Sequence, residues 1–127
     1  MSNILSDLID QQGWCVADGA TGTNLFGRGL ETGYPPELWS VERPDDILWL
    51  HGSFLEAGSD LILTNSFGGT GFRLKLHESQ ERVRELNIAA SNWLGKRSRY
   101  ILPTVENARS LPDQWGQVAS CLNRLAN

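Results

Sequence analysis

No apolar run in the sequence approaches the roughly eighteen residues of a membrane span, and no basic-plus-apolar leader opens the chain. A cytoplasmic protein with no membrane partner is therefore expected. Cysteine is scarce: Cys15 and Cys121 lie far apart, in neither CxxC nor CxH spacing. That pattern speaks against a disulfide scaffold and against a zinc finger. No basic run stands out either, and the net charge of −4 argues against a nucleic-acid groove. The densest basic cluster, Lys96, Arg97 and Arg99, reads as a solvated helix end. What remains is ordinary: 127 residues, 40% hydrophobic and 20% charged, enough for one soluble domain with its own core.

The most informative stretch is W-C-V-A-D-G-A-T-G-T, residues 14–23. Trp14, Cys15, Val16 and Ala17 are apolar without alternation, which predicts a strand buried on both faces, as in a parallel sheet. Asp18 then falls at the strand's carboxyl end, where α/β proteins keep their chemistry. Gly19 and Gly22 permit a tight turn with open backbone N–H groups. The design repeats at D-L-I-L-T, residues 60–64, followed by N-S-F-G-G-T, residues 65–70. Two such strand ends predict one shared pocket.

Between and around them the chain reads as alternating helices and strands. Ile4, Leu5, Leu8 and Ile9 have helical spacing, with Ser2 or Asn3 as cap. Asn24, Leu25 and Phe26 suggest a short helix ending near Gly27 and Gly29. Residues 30–43 look irregular, broken by Gly33, Pro35 and Pro36, and form a candidate pocket wall carrying Tyr34 and Trp39. Pro44, Asp45 and Asp46 start a helix that Gly58 closes. A short helical turn at Phe72, Leu74 and Leu76 precedes a helix capped by Ser79. That helix carries Val83, Leu86, Asn87, Ala90 and Leu94 on one face and stops at Gly95. Tyr100, Ile101 and Leu102 are a third strand, which Pro103 interrupts. A last helix with Val118, Leu122 and Leu125 follows a capping box at residues 110–113, and no third glycine-rich loop appears. His51 and His77 read as surface residues, Glu56 and Asp60 as structural, and Cys15 as a buried small hydrophobe.

The segments D-G-A-T-G-T-N-L-F, P-P-E-L-W, H-G-S-F-L-E-A-G-S-D-L-I-L-T-N-S-F-G-G-T and V-R-E-L-N together resemble the homocysteine S-methyltransferase family, most closely its bacterial betaine–homocysteine branch. The likeness covers about residues 14–93. It implies an α/β fold, the amino-terminal part of a (β/α)8 TIM barrel with about three of eight strands. Residues 1–95 would be that part, and residues 96–127 a divergent tail from a frameshift or truncation. It further implies that Asp18 holds the ammonium of homocysteine, that Gly19 N–H meets the carboxylate, and that Thr64, Asn65 and Phe67 line the wall. Trp39 would face the quaternary ammonium of betaine, the methyl donor for methionine synthesis.

Zinc held by three late cysteines activates the thiol in complete family enzymes. Neither Cys15 nor Cys121 matches those ligands, so no zinc and no methyl transfer are expected of this chain alone. Homocysteine and betaine are the expected partners, together with self-association through open sheet edges. Two rivals stand beside this reading. One is an inactive half-barrel or interaction fragment. The other is an aspartyl-phosphate phosphotransferase, which would want an acid or threonine where Ala20 stands and a shorter spacer before Thr21-Gly22-Thr23.

Overall fold

Pro44 begins a 13-residue helix, α4 (Pro44–Glu56), in the computed structural model of the chain, which describes residues 4–95 and 101–102. Proline suits that first position because the N–H it lacks has no partner inside the helix. Asp45 and Asp46 occupy the first turn, at the positive end of the helix dipole. At the far end Gly58 takes φ +101°. Its N–H reaches the carbonyl of Leu55, and Ser59 N–H reaches that of Phe54. This left-handed glycine closes the helix as its position in the sequence predicts.

Ile47 and Leu50 on α4 join Leu25 of α2 (Gly22–Phe26), Leu30 and Trp39 in one apolar cluster, with Phe54 packed against it. His51, four residues after Ile47, lies on the same face and is also buried. This corrects the surface assignment: helical spacing carries it inward despite its polarity.

Residues 30–43 are more ordered than their prolines suggest. Pro35 is extended, as a residue before proline must be, and Pro36 opens a 3-10 turn over Pro36–Leu38. Helix α3 (Trp39–Glu42) follows directly. The proline pair starts a turn here as well as breaking a period. Leu38 enters a second cluster with Leu74 and Leu86, while its neighbour Trp39 enters the first. Consequently α3 packs against both α4 and α6 (Val83–Gly95), joining the two halves of the core.

The strands are short. β1 (Ile62–Leu63) pairs in parallel with β2 (Ile101–Leu102), Ile62 opposite Ile101 and Leu63 opposite Leu102. On its other side β1's neighbour Leu61 forms a parallel bridge with Ala17. Three parallel segments thus stand in chain order with helices between them, a βαβαβ progression, but no barrel closes among the described residues. The first strand, expected to be buried on both faces, shrinks to that bridge, with Trp14 66% and Val16 44% exposed. Among the described residues this segment is the outer edge of the sheet, with no strand beyond the bridge to cover it. The two faces of β1 also differ. Helices pack on the side of fully buried Ile62, whereas Leu63, alternating to the other face, is exposed. Cys15 is accordingly only partly buried.

Helix α1 (Ile4–Gln12) ends at Gly13, and Gln12 Nε2 donates to Asp60 Oδ2 and to the Trp14 carbonyl. Asp60 Oδ2 also accepts from Val16 N–H at 3.0 Å, the structural role expected of it. Helix α5 (Gly71–Leu74) is capped by Thr70, whose hydroxyl accepts from Arg73 N–H. It runs into a 3-10 turn at Lys75–His77, where His77 is exposed. Ser79 caps nothing with its side chain; its hydroxyl donates to the His77 carbonyl, and a 3-10 turn (Gln80–Arg82) leads into α6. The basic cluster at residues 96–99, Pro103, Cys121 and the expected last helix lie outside the described residues, as does the cap at residues 2–3.

Candidate functional site

Parallel pairing puts the carboxyl ends of the first two strand segments side by side, so Asp18 and Thr64 emerge at the same end of the sheet. Asp18 N–H donates to the Leu61 carbonyl at 2.9 Å. Its side chain continues the ladder, with Oδ2 accepting from Leu63 N–H at 3.1 Å. The second oxygen, Oδ1, is buried and has no hydrogen-bond partner among the described residues. Burial pushes the Asp18 carboxyl above its ordinary value, and the hydrogen bond from Leu63 N–H offsets part of that rise. One carboxylate oxygen of Asp18 is therefore committed to the backbone, and the other is unpartnered among the described residues. Gly19, next to it, is exposed, and a Cβ there would meet the Phe54 ring at 3.3 Å.

The loop after β1 is buried and internally bonded. Thr64 and Ser66 share a hydroxyl–hydroxyl hydrogen bond. Asn65 Nδ2 donates to the Pro36 carbonyl at 2.8 Å and to Ser40 Oγ at 3.0 Å. Gly68 N–H donates to the buried carboxylate of Glu37 at 2.6 Å, and Asn87 Nδ2 of α6 donates to the Gly69 carbonyl at 2.7 Å. The backbone approach is close enough that a Cβ on Gly68 would stand 2.7 Å from Glu37 Oε1. A side chain there would have to push the Glu37 carboxylate off the Gly68 N–H. Phe67, between these anchors, projects outward at 61% exposure with the Arg73 guanidinium 5.2 Å from its ring centre.

The expected site residues therefore divide. Asp18, Gly19, Thr64 and Asn65 gather at one end of the sheet, and Phe67 stands at its rim. Trp39 lies in the core, with the Arg43 guanidinium 4.2 Å from its ring centre. Arg43 is fixed there by Asp46, which also pairs with Arg28. Arg28 in turn stacks on Trp49 at 4.6 Å. Sequence reasoning passed over Glu37, Ser40 and Ser66. The available signal was an acid inside the apolar run P-P-E-L-W, since a buried carboxylate needs a donor nearby.

A zinc centre of three thiolates does not fit these residues. The whole sequence has two cysteines, and among the described residues no three His, Cys, Asp or Glu side chains are grouped to hold a metal. None of those residues forms a helix long and apolar enough to cross a membrane.

The family model described as "Homocysteine S-methyltransferase" matches residues 15–112. Methionine synthase of Mycobacterium tuberculosis is 33% identical over 126 residues, covering 84% of this chain and 10% of that protein. Homocysteine S-methyltransferase 1 of Brassica oleracea is 35% identical over 94 residues, covering 66% of this chain and 28% of the plant protein. Among solved structures, the metallated homocysteine methyltransferase MmuM of Escherichia coli superposes with a TM-score of 0.54 at 26% identity. The match covers 80% of this chain and 40% of that one. The chain thus spans well under half the length of each of these relatives.

Proposed function

The chain belongs to the homocysteine S-methyltransferase family, and from that premise we propose that its two strand-end loops form the amino-acid half of a homocysteine pocket. Asp18 takes the ammonium, Gly19 N–H takes the carboxylate, and Thr64, Asn65 and Phe67 wall the space between. The observation that carries this reading is Asp18 Oδ1, a buried carboxylate oxygen without a partner among the described residues. Leaving such an atom unmatched costs free energy that an ammonium donor would recover. In a whole enzyme the homocysteine thiolate then forms a sulfur–carbon bond with the donor's methyl group. The electrons of the broken bond stay on the donor, and methionine is the product.

Betaine is the donor we assign, because Trp39 offers an indole face of the kind that attracts onium groups. That face now carries Arg43, so a betaine ammonium reaches it only by displacing the guanidinium from 4.2 Å. The thiol-activating part belongs to the remainder of such an enzyme. We assign residues 1–95 to its amino-terminal portion and residues 96–127 to a tail, although the family match itself runs on to residue 112. These 127 residues are expected to bind homocysteine without methylating it, and to self-associate through the sheet.

Calorimetric titration with L-homocysteine tests the reading. Asp18→Asn is expected to weaken binding by at least about tenfold, since it replaces a charge-assisted contact with a neutral one. Wild-type affinity should also fall on acidification, beginning above the ordinary carboxylate range because burial raises the Asp18 carboxyl. Betaine added to the complex should shift the Trp39 indole N–H resonance. Equal affinity for wild type and Asp18→Asn removes the ammonium assignment, and an unmoved indole signal removes the donor.

A further inference from the structure

We propose that Glu37 is a positioning residue for the loop that follows β1, setting the backbone that carries Thr64 and Asn65 at the carboxyl end of the sheet beside Asp18; the connection to homocysteine rests on the function proposed above. Glu37 belongs to the 3-10 turn Pro36–Leu38, outside both strand-end loops, and is 6% exposed. Such burial is unusual for a carboxylate unless it is paired or bonded. Its bond is to a backbone group: Oε1 accepts from Gly68 N–H at 2.6 Å, a close N–H to carboxylate contact.

Two further contacts tie the same turn to the same loop. Asn65 Nδ2 donates to the Pro36 carbonyl and to Ser40 Oγ, so the loop is gripped by residues on both sides of Glu37. On the other flank, Asn87 holds the Gly69 carbonyl. The Thr64–Gly69 backbone is therefore clamped between the turn and α6. Glu37 supplies the one anionic contact in that clamp among the bonds described. Without it, Gly68 N–H is buried and unmatched, and the cheapest relief is for the loop to move toward water. A shift of that loop displaces Thr64 and Asn65 together, while leaving the α4 cluster, which shares no residue with the clamp, intact.

The test is isotope-edited amide spectroscopy of the full 127-residue chain, free and titrated with L-homocysteine, for wild type, Glu37→Ala and Glu37→Gln. Glu37→Ala is expected to speed exchange of the Gly68 amide and weaken homocysteine binding, each by at least about tenfold. Glu37→Gln keeps a side-chain oxygen at the same reach and is expected to restore both to within about threefold of wild type. Amides of α4 should be unchanged in both variants. Gly68→Ala is expected to mimic Glu37→Ala in the wild-type background and to add little to it, because its Cβ would stand 2.7 Å from Glu37 Oε1.

Unchanged Gly68 exchange in Glu37→Ala overturns the proposal. So does equal loss in both Glu37 variants accompanied by loss of α4 protection, which would make Glu37 a general anchor of the fold. Wild type that fails to bind homocysteine defeats the proposed function alone. In that case the ligand-free exchange of Gly68 still decides whether Glu37 sets the loop.

Discussion

A buried ionisable side chain persists only where something offsets its lost water, and Asp18 and His51 differ in what is on offer. Asp18 keeps a hydrogen bond from Leu63 N–H and partial access to solvent. His51 is 2% exposed, and neither ring nitrogen has a partner among the described residues. Burial lowers its pKa from 6.5 to about 4, so the folded protein holds it neutral. Between those two values the unfolded chain binds a proton that the folded chain does not. The contribution to stability is therefore complete above about pH 6.5 and is lost progressively as the pH falls toward 4. The full loss is of order 3 kcal/mol. Urea unfolding at several pH values should show that slope, and His51→Leu should flatten it. A wild-type slope that survives the substitution would assign it to other groups. Asp18 was legible in the sequence as an acid ending an apolar run. His51 was not, because Leu48, Trp49 and Leu50, which separate it from Ile47, are all apolar and leave no polar contrast to mark the core face. Glu37 was hidden for a related reason, since its partner Gly68 is 31 residues away.

Helix ends were the most legible elements. Pro44 and Gly58 act through local backbone geometry, which the sequence states directly. Gly58 carries a concrete consequence. At φ +101° an L side chain is strained, although nothing stands within 4 Å of the Cβ it would carry. Gly58→Ala should cost about 1–2 kcal/mol by strain alone, readable as a lower urea midpoint with an unchanged slope. An unaffected midpoint would mean that the turn relaxes freely. The stretch from Pro36 to Glu42 was less legible, because its helical turns are fixed by what they touch. Leu38 and Trp39 point to different clusters, and Ser40 accepts from Asn65 while its carbonyl accepts from Trp93 Nε1. Nothing in local spacing announces a short segment stabilised on two sides. The same holds in reverse for residues 14–17, whose apolar run predicts burial that only a second covering layer can provide.

At the scale of the molecule, strand and helix order and family membership were readable, because they rest on ordered motifs spread along the chain. The closure of a sheet was not, since it depends on elements that lie far from these loops. Among the described residues the sheet ends at Ala17 on one side and at β2 on the other, with helices on the face of Ile62. The opposite face presents Ala17 and Leu63, and parallel strands are stable chiefly when both faces are covered. Open edges and an apolar face together favour pairing between chains. Opposing this is a net charge of −4, modest enough for salt to screen. The 127-residue chain is therefore expected to associate with rising concentration, and more strongly at higher ionic strength. Leu63→Lys should shift it toward monomer, because it places a charge on the uncovered face while leaving the buried Ile62 side untouched. Sedimentation velocity over a concentration series at two salt levels measures all three effects. A wild-type chain that stays monomeric throughout would show that the exposed face is tolerated in water, and would remove self-association as an explanation of how the sheet is completed.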